Sequence, residues 1–252
     1  MSENYSRPAD VEQAKLLIKS NRTNITFPED IGCLTAVNDG LMLDLQDLPL
    51  SYINNNDKDL LIGGRTLLEN IYLQNAVNSI IKRAIAIEFG MNKRNRHTVG
   101  TILRACSGKS LFTSLLVALD VKIETLADND RLTIGQWIDE KDRRFLAVKQ
   151  VTIPEYESVD IEWSANTPMS LPEVSLAAAR WRGGRTRLVL GGLTLKPELL
   201  IDGNVSLELI GQIQTACSQY IPTDNTSNHY RYIISTFAER ILMPIISSEV
   251  AV

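Results

Sequence analysis

Apolar and polar positions divide the chain into recognisable segments. Val11, Ala14, Leu17 and Ile18 recur at helical spacing and predict a helix over residues 9–20. Residues 41–45 read as a short strand, Asn54-Asn55-Asn56-Asp57 as a turn, and Leu60-Leu61-Ile62 as a strand ending at Gly63-Gly64. Between Thr66 and Phe89, the positions Leu67, Ile71, Val77, Ile80, Ile81, Ala84 and Ile85 fit a long helical pattern broken near Gln74 and Asn75. Gly90 is placed as its left-handed C-terminal cap. A polar loop over residues 92–97 follows, and Thr98-Val99-Gly100 opens an irregular stretch. Ser107 or Ser110 can cap an apolar helix over residues 111–119, and residues 121–125 alternate as a strand.

The charged segment 139–144 is the best boundary candidate, because the pattern changes after it. Residues 148–153, 175–181 and 185–190 read as strands of an antiparallel sheet, with Gly183-Gly184 as the hairpin turn between the last two. Residues 207–220 and 230–242 read as amphipathic helices. Two domains are expected: a mixed part over residues 1–145 and a smaller α+β part over residues 146–252. No internal repeat or low-complexity tract interrupts them.

Composition narrows the function classes. With 252 residues, 44% hydrophobic and 22% charged, the chain can bury a sizeable core. A net charge of -4, with cations scattered among acids, gives no case for nucleic acid. The stretch 111–119 is too short to span a bilayer, so no membrane partner is expected. Residues 1–8 lack the apolar core of a signal peptide, and the expected location is the cytoplasm. Cys33, Cys106 and Cys217 form no C-x-x-C pair, which argues against an iron–sulfur cluster held by this chain alone. His97 and His229 are far apart, which argues against a histidine-based metal centre.

The familiar catalytic motifs fail on inspection. Cys106-Ser107-Gly108-Lys109-Ser110 ends like a P-loop, but Leu103 stands where its first glycine belongs. No G-x-G-x-x-G and no G-x-S-x-G is present. Asp139-Glu140 and Glu155 with Glu157 read as solvated faces, and Trp137, Trp163 and Trp181 as core or interface anchors. One region retains chemical interest. Residues 94–110 gather Thr98, Thr101, Ser107 and the cations Arg104 and Lys109 in a glycine-containing loop ahead of a helix. Backbone amides and a helix start of this kind can hold a diphosphate.

At this loop the sequence resembles a known family. Arg94-Asn95-Arg96-His97-Thr98-Val99-Gly100, then Ser107, then Leu115-Leu116-Val117-Ala118-Leu119-Asp120, is similar to the second FAD-binding segment of the flavoprotein subunits of carbon monoxide dehydrogenase and xanthine dehydrogenase. Asp44-Leu45-Gln46-Asp47-Leu48 and Leu61-Ile62-Gly63-Gly64-Arg65-Thr66-Leu67-Leu68 resemble earlier stretches of that family. Arg131-Leu132-Thr133-Ile134, Leu190-Gly191-Gly192-Leu193-Thr194 and Pro222-Thr223-Asp224 resemble later ones. The resemblance implies an α+β fold: a PCMH-type two-subdomain FAD-binding part followed by a smaller C-terminal domain of antiparallel sheet and helices. It implies FAD as cofactor and an electron-transfer role in a molybdenum hydroxylase complex. Its partners would be a molybdopterin-containing large subunit and an iron–sulfur small subunit, and a homodimer is compatible with it.

The cofactor-binding positions that follow are Thr66, Thr98, Gly100 and Ser107, matched to the family, with Thr101, Arg104 and Lys109 added from position and chemistry. No catalytic residue is assigned. Four positions depart from the family pattern: its second glycine is Thr101, its asparagine Ile102, its proline Gly108 and its aspartate Leu111. The glycine-rich first FAD loop has no visible counterpart between Asn21 and Val37. Two lost contacts of about 1–3 kcal/mol each would weaken FAD roughly a hundredfold. The leading expectation is an FAD-binding electron-transfer subunit; the alternative is a non-flavin homologue, with FAD lost, serving as a structural or interaction subunit.

Overall fold

The computed structural model describes residues 5–21, 24–30, 40–56, 58–128, 130–167 and 170–250. Cys33 and most of the segment between Asn21 and Val37 lie outside them. In chain order the elements are β1 (Tyr5–Ser6), α1 (Val11–Ser20), β2 (Ile25–Thr26), β3 (Leu41–Leu43), β4 (Ile53–Asn56) and β5 (Asp59–Gly63). Then come α2 (Leu68–Leu73), α3 (Ser79–Glu88), α4 (Met91–Arg94), α5 (Val99–Ala105), α6 (Leu111–Ala118), β6 (Lys122–Thr125), β7 (Arg131–Thr133) and α7 (Ile134–Asp139). The rest is β8 (Val148–Ile153), β9 (Ser158–Ser164), β10 (Val174–Arg180), β11 (Thr186–Gly191), β12 (Glu198–Gly203), α8 (Leu207–Cys217) and α9 (Ser227–Val250). They form two compact units, one of residues 1–77, 89–106 and 121–154, the other of residues 78–88, 107–120 and 155–252.

In the first unit, β1 and β2 flank β3 in parallel. Parallel neighbours need a crossover, and α1 supplies one. Its start is fixed reciprocally: the Asp10 carboxylate accepts from the Gln13 N–H at 2.8 Å, and the Gln13 side chain accepts from the Ala9 N–H at 2.8 Å. Its inner face, Ala14 and Ile18, packs with Ile25, Phe27, Leu43 and Leu45. The second sheet of this unit runs in the order β4-β5-β8-β6-β7, with antiparallel neighbours throughout.

Three local expectations change here. Asn54, Asn55 and Asn56 form an edge strand rather than a turn, with their side chains exposed. Backbone pairing to β5 sets the strand, and on an edge the polar side chains stay in water, so composition misleads. Gly90 has a φ of -60° and opens α4 instead of closing the preceding helix in a left-handed cap. Strand β8 belongs to this sheet, beside β5 and β6, rather than to the sheet of β10 and β11.

The second unit is built on the antiparallel sheet β12-β11-β10-β9. Gly183 (φ 103°) and Gly184 (φ 88°) make the turn between β10 and β11, a backbone geometry that disfavours side chains with a Cβ. Leu176, Ala178, Leu188 and Leu190 share a core with Ile213, Cys217, Ile234, Phe237 and Ala238 of α8 and α9. The alternate positions of β10 are also buried, on the side of α6. A strand covered on both faces reads as a continuous apolar run, as β10 does. Strands β9 and β12 were not among the expected elements, although Val159, Ile161 and Trp163 do alternate. No described helix is long and apolar enough to cross a membrane.

Candidate functional site

The stretch expected to be irregular at Thr98 is a helix. The Thr98 hydroxyl caps α5, accepting from the Thr101 N–H at 3.2 Å, and meets the Thr101 hydroxyl at 3.1 Å. A helix leaves its first N–H groups without internal partners; here those of Val99, Gly100 and Thr101 find others. The Val99 N–H donates to the Thr66 carbonyl at 3.0 Å and Gly100 to the Gly64 carbonyl at 2.9 Å, before Ile102 makes the first bond within the helix, to the Thr98 carbonyl at 3.3 Å. Residues 99–104 are all buried. Such a helix shows no apolar stripe, because every face is covered, and helical periodicity cannot reveal it.

Thr66 is 1% exposed and its hydroxyl is committed to Tyr52, accepting from the N–H at 3.1 Å and donating to the carbonyl at 2.9 Å. Beside it lies an open groove of about 380 Å³ bordered by Tyr52, Asn70 and Gln74. Gly100 is required by packing: a Cβ there would stand 2.7 Å from the Gly64 carbonyl oxygen and 3.3 Å from Arg104 Nη1.

Arg104 was expected to lend charge to a ligand. Instead its guanidinium donates from Nε to Asp30 Oδ2 at 2.6 Å, from Nη2 to Asp30 Oδ1 at 2.6 Å, and from Nη2 to Glu29 Oε1 at 3.5 Å. All three side chains are at least nine-tenths buried. The guanidinium also lies 4.2 Å from the centre of the Phe27 ring. Burial disfavours the charge on Arg104, but the two carboxylates outweigh it and hold its pKa above the ordinary value. One positive and two negative groups leave this cluster net negative.

His97 is 7% exposed, and its Nδ1 has no hydrogen-bond partner. It interacts with the backbone of Glu29, and burial, with the Arg96 charge, lowers its pKa. Trp137 Nε1 donates to the Leu103 carbonyl at 2.8 Å, which ties α7 to α5. Sequence reasoning missed Glu29 and Asp30; the one available signal was an acidic pair after β2, where the family resemblance implied a glycine-rich loop.

Ser107 and Lys109 fall in the second unit, and both are exposed. The Ser107 hydroxyl accepts from the Lys109 N–H at 3.3 Å. Between them Gly108 meets another loop: its N–H donates to the Leu195 carbonyl at 2.9 Å, and its own carbonyl accepts from the Gly192 N–H at 2.6 Å. Ser110, not Ser107, caps α6, accepting from the Thr113 N–H at 3.0 Å. The structure therefore brings Thr66, Thr98, Gly100 and Thr101 together through backbone and hydroxyl bonds, with Arg104 one turn on.

Comparison with solved structures places the whole architecture. The chain aligns with a chain of Cu,Mo-CO dehydrogenase in its cyanide-inactivated form at a TM-score of 0.74 and 14% identity, covering 94% of this chain and 95% of the other. For carbon monoxide dehydrogenase from Hydrogenophaga pseudoflava lacking the Mo-pyranopterin moiety, the TM-score is 0.76 at 14% identity, covering 95% of each chain. For quinoline 2-oxidoreductase from Pseudomonas putida 86 it is 0.74 at 14% identity, covering 96% and 95%. This chain shares its fold with those carbon monoxide dehydrogenase and quinoline 2-oxidoreductase chains. The α+β class and the antiparallel sheets expected from the sequence are those observed. By sequence, the chain is 23% identical over 206 residues to the uncharacterized protein YgfM of Escherichia coli K12, covering 80% of this chain and 79% of that one. No family model matches it.

The resemblance read in the sequence implies FAD, and the residues can be tested against it. A diphosphate held at a helix start needs free N–H donors and uncompensated positive charge. The start of α5 offers neither, since its amides are bonded within the protein and Arg104 is outnumbered by carboxylates. Ile102 is 4% exposed and has no polar side-chain atom to contribute. Among the described residues, the start of α5 does not fit a dinucleotide diphosphate.

Proposed function

We propose that this chain is a non-flavin subunit of a molybdenum hydroxylase-type oxidoreductase complex. It serves as a folded interaction body for a molybdopterin-containing large subunit and an iron–sulfur small subunit, in the cytoplasm. The fold likeness across nearly the whole chain supports the kind of complex. The observation that carries the non-flavin role is the occupied helix start, where Val99, Gly100 and Thr101 all donate within the protein.

A second reading is favoured by the same likeness and by Thr66, Thr98, Gly100 and Ser107, which match the family at its flavin-binding positions. In it the chain binds FAD and relays electrons from iron–sulfur clusters. Absorbance of the purified chain, with fluorescence of any flavin released on denaturation, decides between them. The non-flavin reading expects a colourless protein that retains no FAD after incubation and gel filtration. A yellow protein holding FAD near one per chain would overturn it and establish the second reading. Co-purification of a molybdopterin-containing and an iron–sulfur subunit with the tagged chain tests the assembly role.

A further inference from the structure

We infer that Asp30 and Glu29 act as internal anions on Arg104, and that removing them uncovers a binding site for a small oxyanion such as phosphate or diphosphate. The inference deepens the non-flavin reading and rests on it. It starts from a mismatch: Arg104 is fully enclosed, yet it lies beside the helix start, with Nη1 3.3 Å from where a Gly100 Cβ would stand. Its fork is engaged by Asp30 through two parallel bonds of 2.6 Å, the arrangement in which a guanidinium also binds a phosphate. The acids come from the single turn Pro28–Asp30 after β2. That turn holds both acids against the guanidinium, and the Phe27 ring just before it is also in contact with it.

A second feature adjoins the same acidic turn. His97 is more than nine-tenths buried, interacts with the Glu29 backbone, and leaves Nδ1 without a partner. A buried imidazole nitrogen without a hydrogen bond is uncommon and costly. An oxyanion on Arg104 would bring oxygen atoms into this neighbourhood. While the carboxylates remain, one cation faces two anions and a further anion is repelled.

The test compares the wild-type chain, Glu29→Ala/Asp30→Ala, and the same pair combined with Arg104→Met. Thermal midpoints are measured with inorganic phosphate, with inorganic diphosphate, with FAD, and with chloride at matched ionic strength. The inference expects diphosphate to raise the midpoint of the double variant by about 2–4 °C or more at saturation. Neither the wild type nor the triple variant should respond beyond the chloride control. An FAD effect in the double variant at lower concentration than diphosphate would also support the site and identify a dinucleotide as the better source. No response beyond chloride in a folded double variant overturns the inference, as does an equal response in the triple variant. If the double variant is insoluble, Asp30→Asn is compared in its place, and recovery of the double variant on refolding with phosphate is scored. Failure of phosphate to affect either counts against the inference. Flavin found in the wild-type chain would defeat the functional reading separately, without reference to these variants.

Discussion

Replacing Asp30 with alanine isolates the most consequential contact in the first unit. Asp30 meets Arg104 through two bonds of 2.6 Å, and both side chains are nearly inaccessible to water. Opposite charges about 4 Å apart interact by about 4 kcal/mol at the effective dielectric that suits protein sites. Glu29 remains at 3.5 Å, so some of the attraction survives. Breaking a buried pair by removing one partner costs about 3–5 kcal/mol, because the remaining charge stays buried. Against a typical total of about 5–15 kcal/mol, that is a large fraction. Urea unfolding followed by Trp137 fluorescence, with Trp163 and Trp181 changed to phenylalanine, reads the effect in the unit concerned, since Trp137 is fully buried and bonded to α5. Combining Asp30→Ala, Glu29→Gln and Arg104→Met removes every charge of the cluster and should recover part of the loss. A cost below about 1 kcal/mol for Asp30→Ala, or a triple variant no more stable than the single one, would refute the view that these acids are needed to neutralise Arg104.

Two further predictions concern the second unit and the glycines. Gly108→Ala places a Cβ 2.1 Å from the Thr194 carbonyl oxygen, a backbone atom that cannot step aside. Hydrogen exchange should therefore accelerate at the Gly108 and Gly192 amides. Gly135→Ala in α7 meets nothing closer than 3.9 Å and should stabilise by about 0.4–1 kcal/mol, so equal effects of the two changes would contradict the packing described. Burial pushes the Cys217 thiol up to about 12 from an ordinary 9.0. The unfolded thiol ionises first, so this contribution is intact below pH 9 and is lost progressively between pH 9 and pH 12. At pH 10 the loss is about 1 kcal/mol. Urea midpoints at pH 8 and pH 10 should fall more for the wild type than for Cys217→Ala, and identical slopes would dispose of the idea.

Local pattern was enough to read much of the fold. Helices α1 and α6 announce themselves by their apolar positions, and α6 also by Ser110, one of its two candidate caps, because both signals depend on residues within one or two turns. The Gly183-Gly184 turn is legible for the same reason: a positive φ is a property of the residue itself. The order of motifs also carried the fold class, which solved structures at 14% identity share.

The rest depended on distance through the chain. Asn54, Asn55 and Asn56 look like a turn until β5 pairs with them, and α5 looks irregular until its neighbours cover every face. The candidate site shows the division most sharply. The sequence by itself placed Thr98, Gly100 and Arg104 in one segment and gave each a chemistry suited to a diphosphate. It could not show that Asp30, 74 residues earlier, neutralises Arg104, or that the Gly64 and Thr66 carbonyls take the amides of Gly100 and Val99. A side chain's chemistry is fixed by its covalent structure, but the charge and hydrogen bonds it has left to offer are fixed by whatever folding brings against it.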